Sequence, residues 1–341
     1  MPAFYHWQTH LEITPAERRL MDLLNVQKLY VKYFDIDLDG NSQPVPHAVV
    51  DINGELLDET VIVPTVFITH RTFKSISKKN IEQLASRIFK KINEINNRLY
   101  PTANYLPTEI QFDCDWTPTT RENYFYFLEC FNSKFKTQNS NGVKRHPAPR
   151  GRELSSTIRL HQFKYPEQTG VPPVDKGMLM FYNVGNLENW ETGNSILEMP
   201  TAEKYLTPGT QYPIPLDCAL PIFKWGVVFR NGELVYLINN LSRNAVADTS
   251  RFFNINKNRY AVKKSTYLKG YYLYKDDLIR LEKIDAALLD AAGAKLAEFQ
   301  KSIKSAGSNT GSQRTISFYH LDTTTLASFQ YEDFKKVIDR F

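Results

Sequence analysis

Short apolar strand patterns alternate with helical patterns along the chain, and this alternation constrains the fold more than any other feature of the sequence. The clearest helical pattern covers 79–99, where Ile81, Leu84 and Ile88 recur at spacings of three and four. Strands that alternate with helices form parallel sheets, and eight such strands favour closure into a (β/α)8 TIM barrel. The strands are predicted at 4–9, 29–35, 61–69, 109–118, 156–162, 177–183, 216–223 and 315–321.

The regular alternation breaks after the seventh predicted strand. A hairpin is predicted over 225–238, with its turn at Asn231-Gly232, followed by a tyrosine-rich stretch to 275 and a helix over 276–304. A barrel of this type takes roughly 250 residues, so the excess fits an insertion at 224–275 within a single domain, 1–341. A doubly wound open sheet is the alternative fold, but no glycine-rich phosphate fingerprint follows the first strand.

Composition excludes some partners. The net charge of +5 is mild for 341 residues, and no nucleic-acid motif accompanies the scattered basic residues, so no nucleic acid is expected. The aromatic content of 13% fits a large barrel core or a surface that binds sugars. No apolar run has the length of a transmembrane segment. The sequence leaves the oligomeric state open.

The cysteines and the start of the chain leave the compartment open. Cys114, Cys130 and Cys218 are odd in number and lack metal-type spacing, and Cys114 and Cys218 fit the core. The chain enters a strand pattern at once and shows no signal peptide, which fits a cytoplasmic protein. It also fits an exported protein, periplasmic or a surface lipoprotein, whose signal has been removed.

The fourth strand pattern, 109–118, carries the strongest functional signal. Its alternation places Asp113 and Asp115 on one face, and Phe112, Cys114 and Trp116 on the other. Two carboxylates on the inner face of a buried strand are costly unless they have partners or a function. We therefore predict that Asp113 and Asp115 face the barrel lumen at its open end, while the apolar face packs under helices.

Polar and aromatic residues also stand where the other strands end. Functional groups of a barrel lie at the carboxyl ends of its strands. In the fifth strand, Arg159 and His161 are in phase on one face. The other strand-end candidates are His6, Trp7, Asp35, Asp37, Thr69, Tyr182, Asn183, Asp217, His320 and Asp322. A structural network of Asp and Arg that fills the lumen is the alternative interpretation.

Two of these segments resemble a known family. Asp113-Cys114-Asp115-Trp116-Thr117-Pro118 is similar to the D-x-D-W-E-x-P end of the fourth strand in family 18 glycoside hydrolases, the chitinase-like barrels. Met180-Phe181-Tyr182-Asn183 is similar to their sixth-strand M-x-Y-D/N motif. The match covers about a dozen residues, and the whole sequence resembles a bacterial family of similar barrels rather than a true chitinase. The resemblance implies that Asp113 and Asp115 position a sugar and that Tyr182 donates a hydrogen bond to it.

The sequence departs from this family at its acid. Thr117 stands where the family has the glutamate that protonates the glycosidic oxygen. A hydroxyl cannot do so at neutral pH, so the family's mechanism does not transfer. Asp113 and Asp115 extend from one wall and form a poor opposed pair, so Asp115 would pair with Asp37 or Asp217 across the site.

The main prediction is therefore a carbohydrate-active barrel, most simply a glycoside hydrolase-like protein that needs no cofactor. Substrate contacts are predicted for Trp7, Asp37, Arg159, His161, Asn183, Trp190 and Asp217. One alternative is a glycan-binding barrel without catalysis, which uses Trp7, Trp116, Trp190 and Tyr182. A metal-dependent hydrolase is the other alternative, with His6, Asp113, His161 and Asp217 as ligand types, although no H-x-H pair supports it.

Overall fold

The chain forms a closed parallel (β/α)8 barrel, as the alternation predicts. The computed structural model describes residues 1–52, 60–101, 106–137, 151–206, 212–302 and 314–341. Within these ranges, eight parallel strands form the barrel wall. They are β1 (Pro2–His6), β2 (Lys28–Leu38), β3 (Val61–Ile68), β4 (Glu109–Asp113), β5 (Glu153–Arg159), β6 (Lys176–Met180), β7 (Leu216–Pro221) and β8 (Ile316–Tyr319).

The first strand closes the barrel because it pairs on both sides. Phe4 is in register with Phe318 of β8 on one side and with Leu29 of β2 on the other. Every other neighbour in the ring is also parallel, and the only departure among the described barrel strands is a short antiparallel strand, Pro44–His47, beside the end of β2. Closure leaves the wall without a free edge, so the carboxyl ends of the strands meet around one opening.

Helices cover the outside of the barrel. On β4, Phe112 points outward and makes edge-to-face contacts with Phe127 and Phe131 of the following helix. Trp116 is also buried on that side, stacked on Tyr124 with ring centroids 5.5 Å apart. The outward direction predicted for both residues is therefore correct. The helices are α1 (Pro15–Leu23), α2 (Lys78–Leu99), α3 (Arg121–Thr137), α4 (Leu160–Lys164), α5 (Pro166–Thr169), α6 (Met199–Glu203), α7 (Ala286–Ser302), α8 (Thr323–Leu326) and α9 (Tyr331–Ile338).

Two helices show why the sequence folds locally as it does. Thr14 caps α1 through a reciprocal pair of hydrogen bonds with Glu17, and Pro15 occupies the first helical position. In α2, the apolar stripe that includes Ile81, Leu84 and Ile88 is buried against the barrel. Among the described residues, we find no helix of the length and apolarity needed to cross a membrane.

The insertion after β7 is a second sheet that packs around its own apolar core. Its strands, in spatial order, are Glu233–Asn239, Lys224–Arg230, Leu278–Lys283, Arg259–Val262 and Phe252–Asn256. The core under it includes Val228, Ile238, Leu273 and Ile279. The predicted hairpin is present, but the prediction of helix from 276 is wrong. Residues 278–283 pair antiparallel with 224–229 instead, and α7 begins only at Ala286.

The lumen of the barrel is polar, and its charges are concentrated at two levels. At the amino ends of the strands, Lys28 and Lys176 both contact the Glu109 carboxylate, at 2.8 and 2.7 Å. Lys176 also approaches Asp217 at 3.5 Å. We call these four residues the floor cluster. In the layer above it, Tyr5 donates a 2.6 Å hydrogen bond to Gln111.

The floor cluster stabilises the fold only as a complete set. Burial alone raises the pKa of Glu109, but the charges of Lys176 and Lys28 outweigh that effect and lower the pKa to about 2. A buried carboxylate between two ammonium groups is tolerated because each charge has a partner, and removal of one partner leaves the others uncompensated.

We expect Glu109→Gln to lower the free energy of unfolding by about 3–5 kcal/mol, because it removes the carboxylate that the two buried ammonium groups share. Urea denaturation at pH 7, followed by circular dichroism, measures this change. Glu153→Gln is the matched control, since Glu153 also contacts Lys176, at 3.1 Å, but its side chain is 41% exposed. The control is expected to cost less than about 1 kcal/mol. Equal losses in the two variants would contradict the role of the floor cluster.

Candidate functional site

A cavity of about 600 Å³ opens at the carboxyl ends of the barrel strands. In a (β/α)8 barrel this end is the one that carries ligand sites. Residues from the strand ends and from the insertion line it together, so the insertion forms part of its wall. The lining consists of Trp7, Gln8, Lys32, Asp35, Phe67, Asp113, Arg159, Tyr182, Asn183, Phe223, Lys224, Trp225, Asn239, Asn240, Tyr319, His320 and Asp322.

One side of the cavity is charged. Asp113, the last residue of β4, accepts hydrogen bonds on Oδ1 from the Thr157 hydroxyl at 2.7 Å and from Arg159 Nη2 at 3.2 Å. Both donors belong to β5, the neighbouring strand, and their spacing of two places them on the same inner face. Lys32 and Asp35 of β2 continue this side. We call Lys32, Asp35, Asp113 and Arg159 the charged wall.

A β-bulge in β2 brings Lys32 and Asp35 to the same face. Simple alternation would place residues three apart on opposite faces, but the pairing of β2 with β3 shifts register between Lys32 and Phe34. Tyr33 points outward and donates a hydrogen bond to Asn96 of α2. Lys32 Nζ then lies 3.1 Å from Asp35 Oδ2. Burial raises the pKa of Asp35, the charge of Lys32 opposes this, and the nearby Asp113 adds to it.

The opposite side of the cavity carries most of its aromatic rings, beside Lys224, His320 and Asp322. Tyr182 and Tyr319 stack with centroids 5.5 Å apart, and Trp7 approaches Tyr319 at the same distance. Phe223 contacts Tyr319 and Trp225 edge-on. We call Trp7, Tyr182, Phe223, Trp225 and Tyr319 the aromatic wall. Its residues follow or end β6, β7, β8 and β1, so the two walls face each other across the barrel opening.

Tyr182 connects the two walls. Burial raises the pKa of its hydroxyl, and the charge of Arg159, together with a hydrogen bond from it, only partly offsets this effect, so Tyr182 remains a neutral donor. The hydroxyl also donates to the Met180 sulfur at 3.1 Å. Asn183, the next residue, has a φ of 56°, a left-handed conformation that Asn tolerates better than most residues. The chain therefore leaves β6 sharply, directly beside the cavity.

Glu282 holds the tryptophan of the insertion in place. Its Oε2 accepts a 2.7 Å hydrogen bond from the Trp225 indole and two more from the backbone and hydroxyl of Ser195, at 3.0 and 2.6 Å. Its other oxygen pairs with Arg280, and both side chains are fully buried. Arg280 in turn donates to the carbonyls of Asn189 and Leu187 in the loop after β6. The Trp225 ring is thus fixed before any ligand arrives.

The predicted pair Asp113 and Asp115 is not brought together in this cavity. β4 ends at Asp113, so the alternation does not continue to Asp115, which is exposed. His161 is separated from Arg159 for the same reason, because α4 begins at Leu160. Asp115 and His161 instead line a smaller pocket of about 350 Å³, together with His70, Trp116, Thr117, Pro118, Tyr165, Gln168 and Thr169.

Thr117 lies in this smaller pocket and bonds to its neighbours. Its hydroxyl is 3.0 Å from that of Thr119 and 3.2 Å from that of Thr120. Among the described residues that line the smaller pocket, Asp115 is the only one with a carboxylate. No opposed pair of carboxylates forms around Asp115 there.

Three other predicted contacts lie away from the main cavity. Asp37 is tied to Arg71, which holds the pKa of the Asp37 carboxyl well below its usual range. Trp190 packs edge-on against Phe229 of the insertion. The prediction that Asp217 lies at the carboxyl end of its strand is wrong, because Asp217 is the second residue of β7 and belongs to the floor cluster.

Three of the four residues considered as metal ligands lie in different parts of the barrel. Asp217 is at the floor, His161 lines the smaller pocket, and Asp113 lines the main cavity. In the ranges that the structure describes, no group of three or more His, Cys, Asp or Glu side chains is arranged to hold a metal ion. Asp35 and Asp37, which begin an acidic run in the sequence, are part of strand β2.

Sequence patterns did not single out several residues of the cavity. Lys32 and Trp225 were missed because the first depends on the bulge and the second on the path of the insertion. Tyr319 was missed because the predicted strand-end candidates of the eighth strand were His320 and Asp322.

Comparison with solved structures finds barrels of the same kind at low identity. No family model matches the sequence, and no curated protein matches it. The spore cortex-lytic enzyme SleL of Bacillus megaterium QM B1551 aligns with 100% of this chain and 73% of its own, at 12% identity and a TM-score of 0.52. A chitinase of Chromobacterium violaceum ATCC 12472 aligns over 99% and 98%, at 10% identity and a TM-score of 0.48. The SleL likeness agrees with the (β/α)8 fold.

The buried histidine beside the cavity gives a prediction for pH dependence. Burial, reinforced by His320, lowers the pKa of His6 from 6.5 to about 4. In the unfolded chain His6 takes up its proton near pH 6.5, whereas in the folded chain it does so only near pH 4. The neutral His6 therefore makes its full contribution to the free energy of unfolding above pH 6.5. As the pH falls toward 4, this contribution decreases by about 3 kcal/mol.

Urea denaturation of the wild type and of His6→Asn at pH 7.5, 5.5 and 4.5 measures this contribution. We expect the stability difference between the two proteins to shrink as the pH falls, because the variant lacks the titrating group. His10→Asn is the control, since the His10 side chain is 67% exposed. A difference between wild type and His6→Asn that stays constant over this range would contradict the assignment.

Proposed function

We propose that the chain binds a carbohydrate in the main cavity, with its apolar face on the aromatic wall and its hydroxyls toward the charged wall. The observation that carries this proposal is the opposition of the two walls across one opening. Sugar rings have apolar faces that stack on aromatic side chains, and their hydroxyls need fixed donors and acceptors at the rim. Arg159, Asp113 and Lys32 supply both kinds of group.

The fixed position of Trp225 supports the same proposal. Its indole already donates a hydrogen bond to Glu282. Ligand binding therefore does not have to order this side chain, and no affinity is lost to the entropy of ordering it. Trp7 is held similarly between Tyr5 and Tyr319. Asn239 and Asn240 from the insertion add amide groups at the opening. A cavity with rigid rings and adaptable polar groups suits a saccharide better than a purely apolar ligand.

The sequence motifs and the structural neighbour support the class of ligand. The segments 113–118 and 180–183 resemble those of family 18 glycoside hydrolases, and SleL is a spore cortex-lytic enzyme of the same fold. We infer that this chain is a glycoside hydrolase-like barrel, and that Asp113 and Tyr182 contact the sugar. The resemblance places Thr117 at the position of the family's acid, so we propose that any hydrolysis here uses another proton donor.

A barrel that binds glycan without hydrolysis is the second candidate. The observation that favours it is the setting of Thr117, whose hydroxyl faces Thr119 and Thr120 in the smaller pocket rather than the main cavity. Under this candidate the cavity keeps its ligand and releases it unchanged. The two candidates share the binding step and differ only in whether reducing ends are released.

Binding to a glycan panel tests the shared step. We expect the wild type to bind at least one saccharide, and Trp225→Ala to weaken that binding by about tenfold or more, because loss of a stacked ring costs on the order of 1.4 kcal/mol. Isothermal titration calorimetry with the saccharide that binds best measures the change.

Trp190→Ala is the matched control. Trp190 is also half-buried beside the insertion, but it packs on Phe229 and Arg259 outside the cavity. Its affinity should equal that of the wild type. Failure to bind any saccharide of the panel, or equal losses in the two variants, would contradict the proposal.

A further inference from the structure

We propose that the saccharide of the main cavity is acidic, and that the ammonium groups of Lys224, Lys269 and Lys283 hold its anionic group at the rim. We call these three residues the lysine cluster. The inference rests on the proposed function, because it assumes that a saccharide stacks on the aromatic wall. It adds the charge of that ligand, which the charged wall does not indicate, since each cation there pairs with a carboxylate.

Strand pairing places two of the lysines side by side. Lys224 and Lys283 are directly opposite each other in the antiparallel pair of Lys224–Arg230 with Leu278–Lys283. Residues in that position extend from the same face of a sheet, with their β-carbons roughly 4.5–5.5 Å apart, and like charges there are destabilising. The fold therefore keeps two ammonium groups close together although their repulsion opposes it, and an anion between them removes that cost.

The third lysine comes from a hairpin of the insertion. Lys269 and Gly270 form its two-residue turn, and both have a positive φ, of 48° and 85°. The Lys269 ammonium donates hydrogen bonds to the carbonyls of Asn239 and Asn240, at 3.4 and 2.7 Å. Asn240 in turn donates from its backbone to the carbonyl of Lys224 at 2.9 Å. All three lysines therefore lie at the end of the insertion sheet that lines the cavity.

The charges of the lysine cluster act on one another. Burial lowers the pKa of Lys224, and the positive charges of Lys269 and Lys283 lower it further. The Lys224 ammonium donates to two neutral groups, the Thr324 carbonyl at 3.2 Å and the Ser328 hydroxyl at 3.1 Å. Across the ranges that the structure describes, the ion pairs of the insertion are made by arginines, and none involves these three lysines.

Asp322 is the acidic residue that acts on Lys224, but its oxygens already have partners. Its charge opposes the lowering of the Lys224 pKa. Its Oδ2 accepts a 2.9 Å hydrogen bond from Gln8, and its Oδ1 accepts from the backbone of Thr325 at 2.9 Å and from the Asn240 amide at 3.4 Å. Asp322 therefore cannot turn toward the lysines without losing these bonds, whereas an anionic group of a ligand is bound to nothing else.

The insertion as a whole is strongly basic. Residues 224–283 include 12 Lys and Arg but only 5 Asp and Glu, so their net charge of +7 exceeds the +5 of the whole chain. A surface that carries one sign of charge raises the local concentration of ligands of the opposite sign and speeds their association. An acidic saccharide is thus attracted to the side of the opening where the lysine cluster lies.

The lysine cluster adjoins the rings on which a sugar would stack. Lys224 stands in the chain between Phe223 and Trp225, and all three residues line the cavity. A sugar ring on Trp225 therefore brings its substituents close to Lys224. A hydroxyl in that position accepts a hydrogen bond, but a carboxylate or a sulfate ester also offsets the repulsion among three ammonium groups. Hydrogen bonds between charged groups are roughly twice as strong as those between neutral ones.

Matched pairs of saccharides test the charge of the ligand by isothermal titration calorimetry. One pair is an oligosaccharide of glucuronate and its carboxyl-reduced form, and the other is a sulfated oligosaccharide and its desulfated form. We expect the acidic member of at least one pair to bind about tenfold more tightly than its neutral member. A rise in NaCl from about 50 mM to about 500 mM should weaken only the acidic member, because salt screens exposed charges. The pair that responds distinguishes a carboxylate from a sulfate ester.

Three variants locate the anionic group. Lys224→Gln should weaken binding of the acidic member by about tenfold, because a charge-assisted hydrogen bond is lost, and should affect the neutral member much less. Lys283→Gln should act in the same direction, with a thermal midpoint at or above that of the wild type, because repulsion from Lys224 is relieved. Lys264→Gln is the matched control, since it removes the same charge from an exposed residue at the other end of the insertion sheet. It should bind both members as the wild type does.

Equal affinities for the two members of every pair would overturn the inference and leave the proposed carbohydrate binding intact. Losses of the same size in Lys224→Gln and Lys264→Gln would also overturn it, because the effect would then come from net charge and not from the lysine cluster. A Lys283→Gln protein that is less stable than the wild type would do the same, since its lysine would then support the fold. If no saccharide binds, the proposed function fails, and the inference fails with it.

Discussion

The buried contact of Glu109 with Lys28 and Lys176 is the interaction on which the arrangement of the lumen depends. A closed barrel turns one face of every strand into an interior where an uncompensated charge is costly. At the floor, two lysines and two acids from β2, β4, β6 and β7 satisfy each other. The neutral layer of Tyr5, Gln111 and Ser155 separates this cluster from the charged wall above it. The carboxylates near the opening are therefore not part of the floor cluster.

Much of the fold follows from sequence periodicity, while the site follows only in part. The alternation of strands and helices predicts the barrel, and the phase of β4 predicts that Asp113 faces inward and Phe112 outward. Asp115 and His161 were extrapolated two residues along strands that in fact end at Asp113 and Arg159, and periodicity carries no information about where a strand stops. Asp217 was predicted at the carboxyl end of its strand, but it lies at the amino end of β7. An apolar run in the sequence does not show at which residue the strand begins.

Other features depend on contacts distant in sequence. The bulge that turns Lys32 and Asp35 to one face is fixed by pairing with β3 and by the bond from Tyr33 to α2, neither of which is visible within β2 itself. The strand 278–283 reads as helical because its residues also suit a helix, and pairing with 224–229 decides the outcome. Tertiary contact overrides local preference at both places, and both contribute to the cavity.

Glu282 has a consequence for how the cavity can vary. One carboxylate joins the indole of Trp225, Ser195 in the loop after β6 and, through Arg280, the carbonyls of residues 187 and 189. The insertion packs around its own apolar core. It therefore contributes a structurally fixed part of the cavity lining rather than a loop. Exchange of this segment between barrels of the same architecture would replace the ring that a ligand meets and leave the strand ends untouched. The insertion's share of the cavity lining and the ion pairs at the floor of the barrel are thus encoded in separate stretches of the chain.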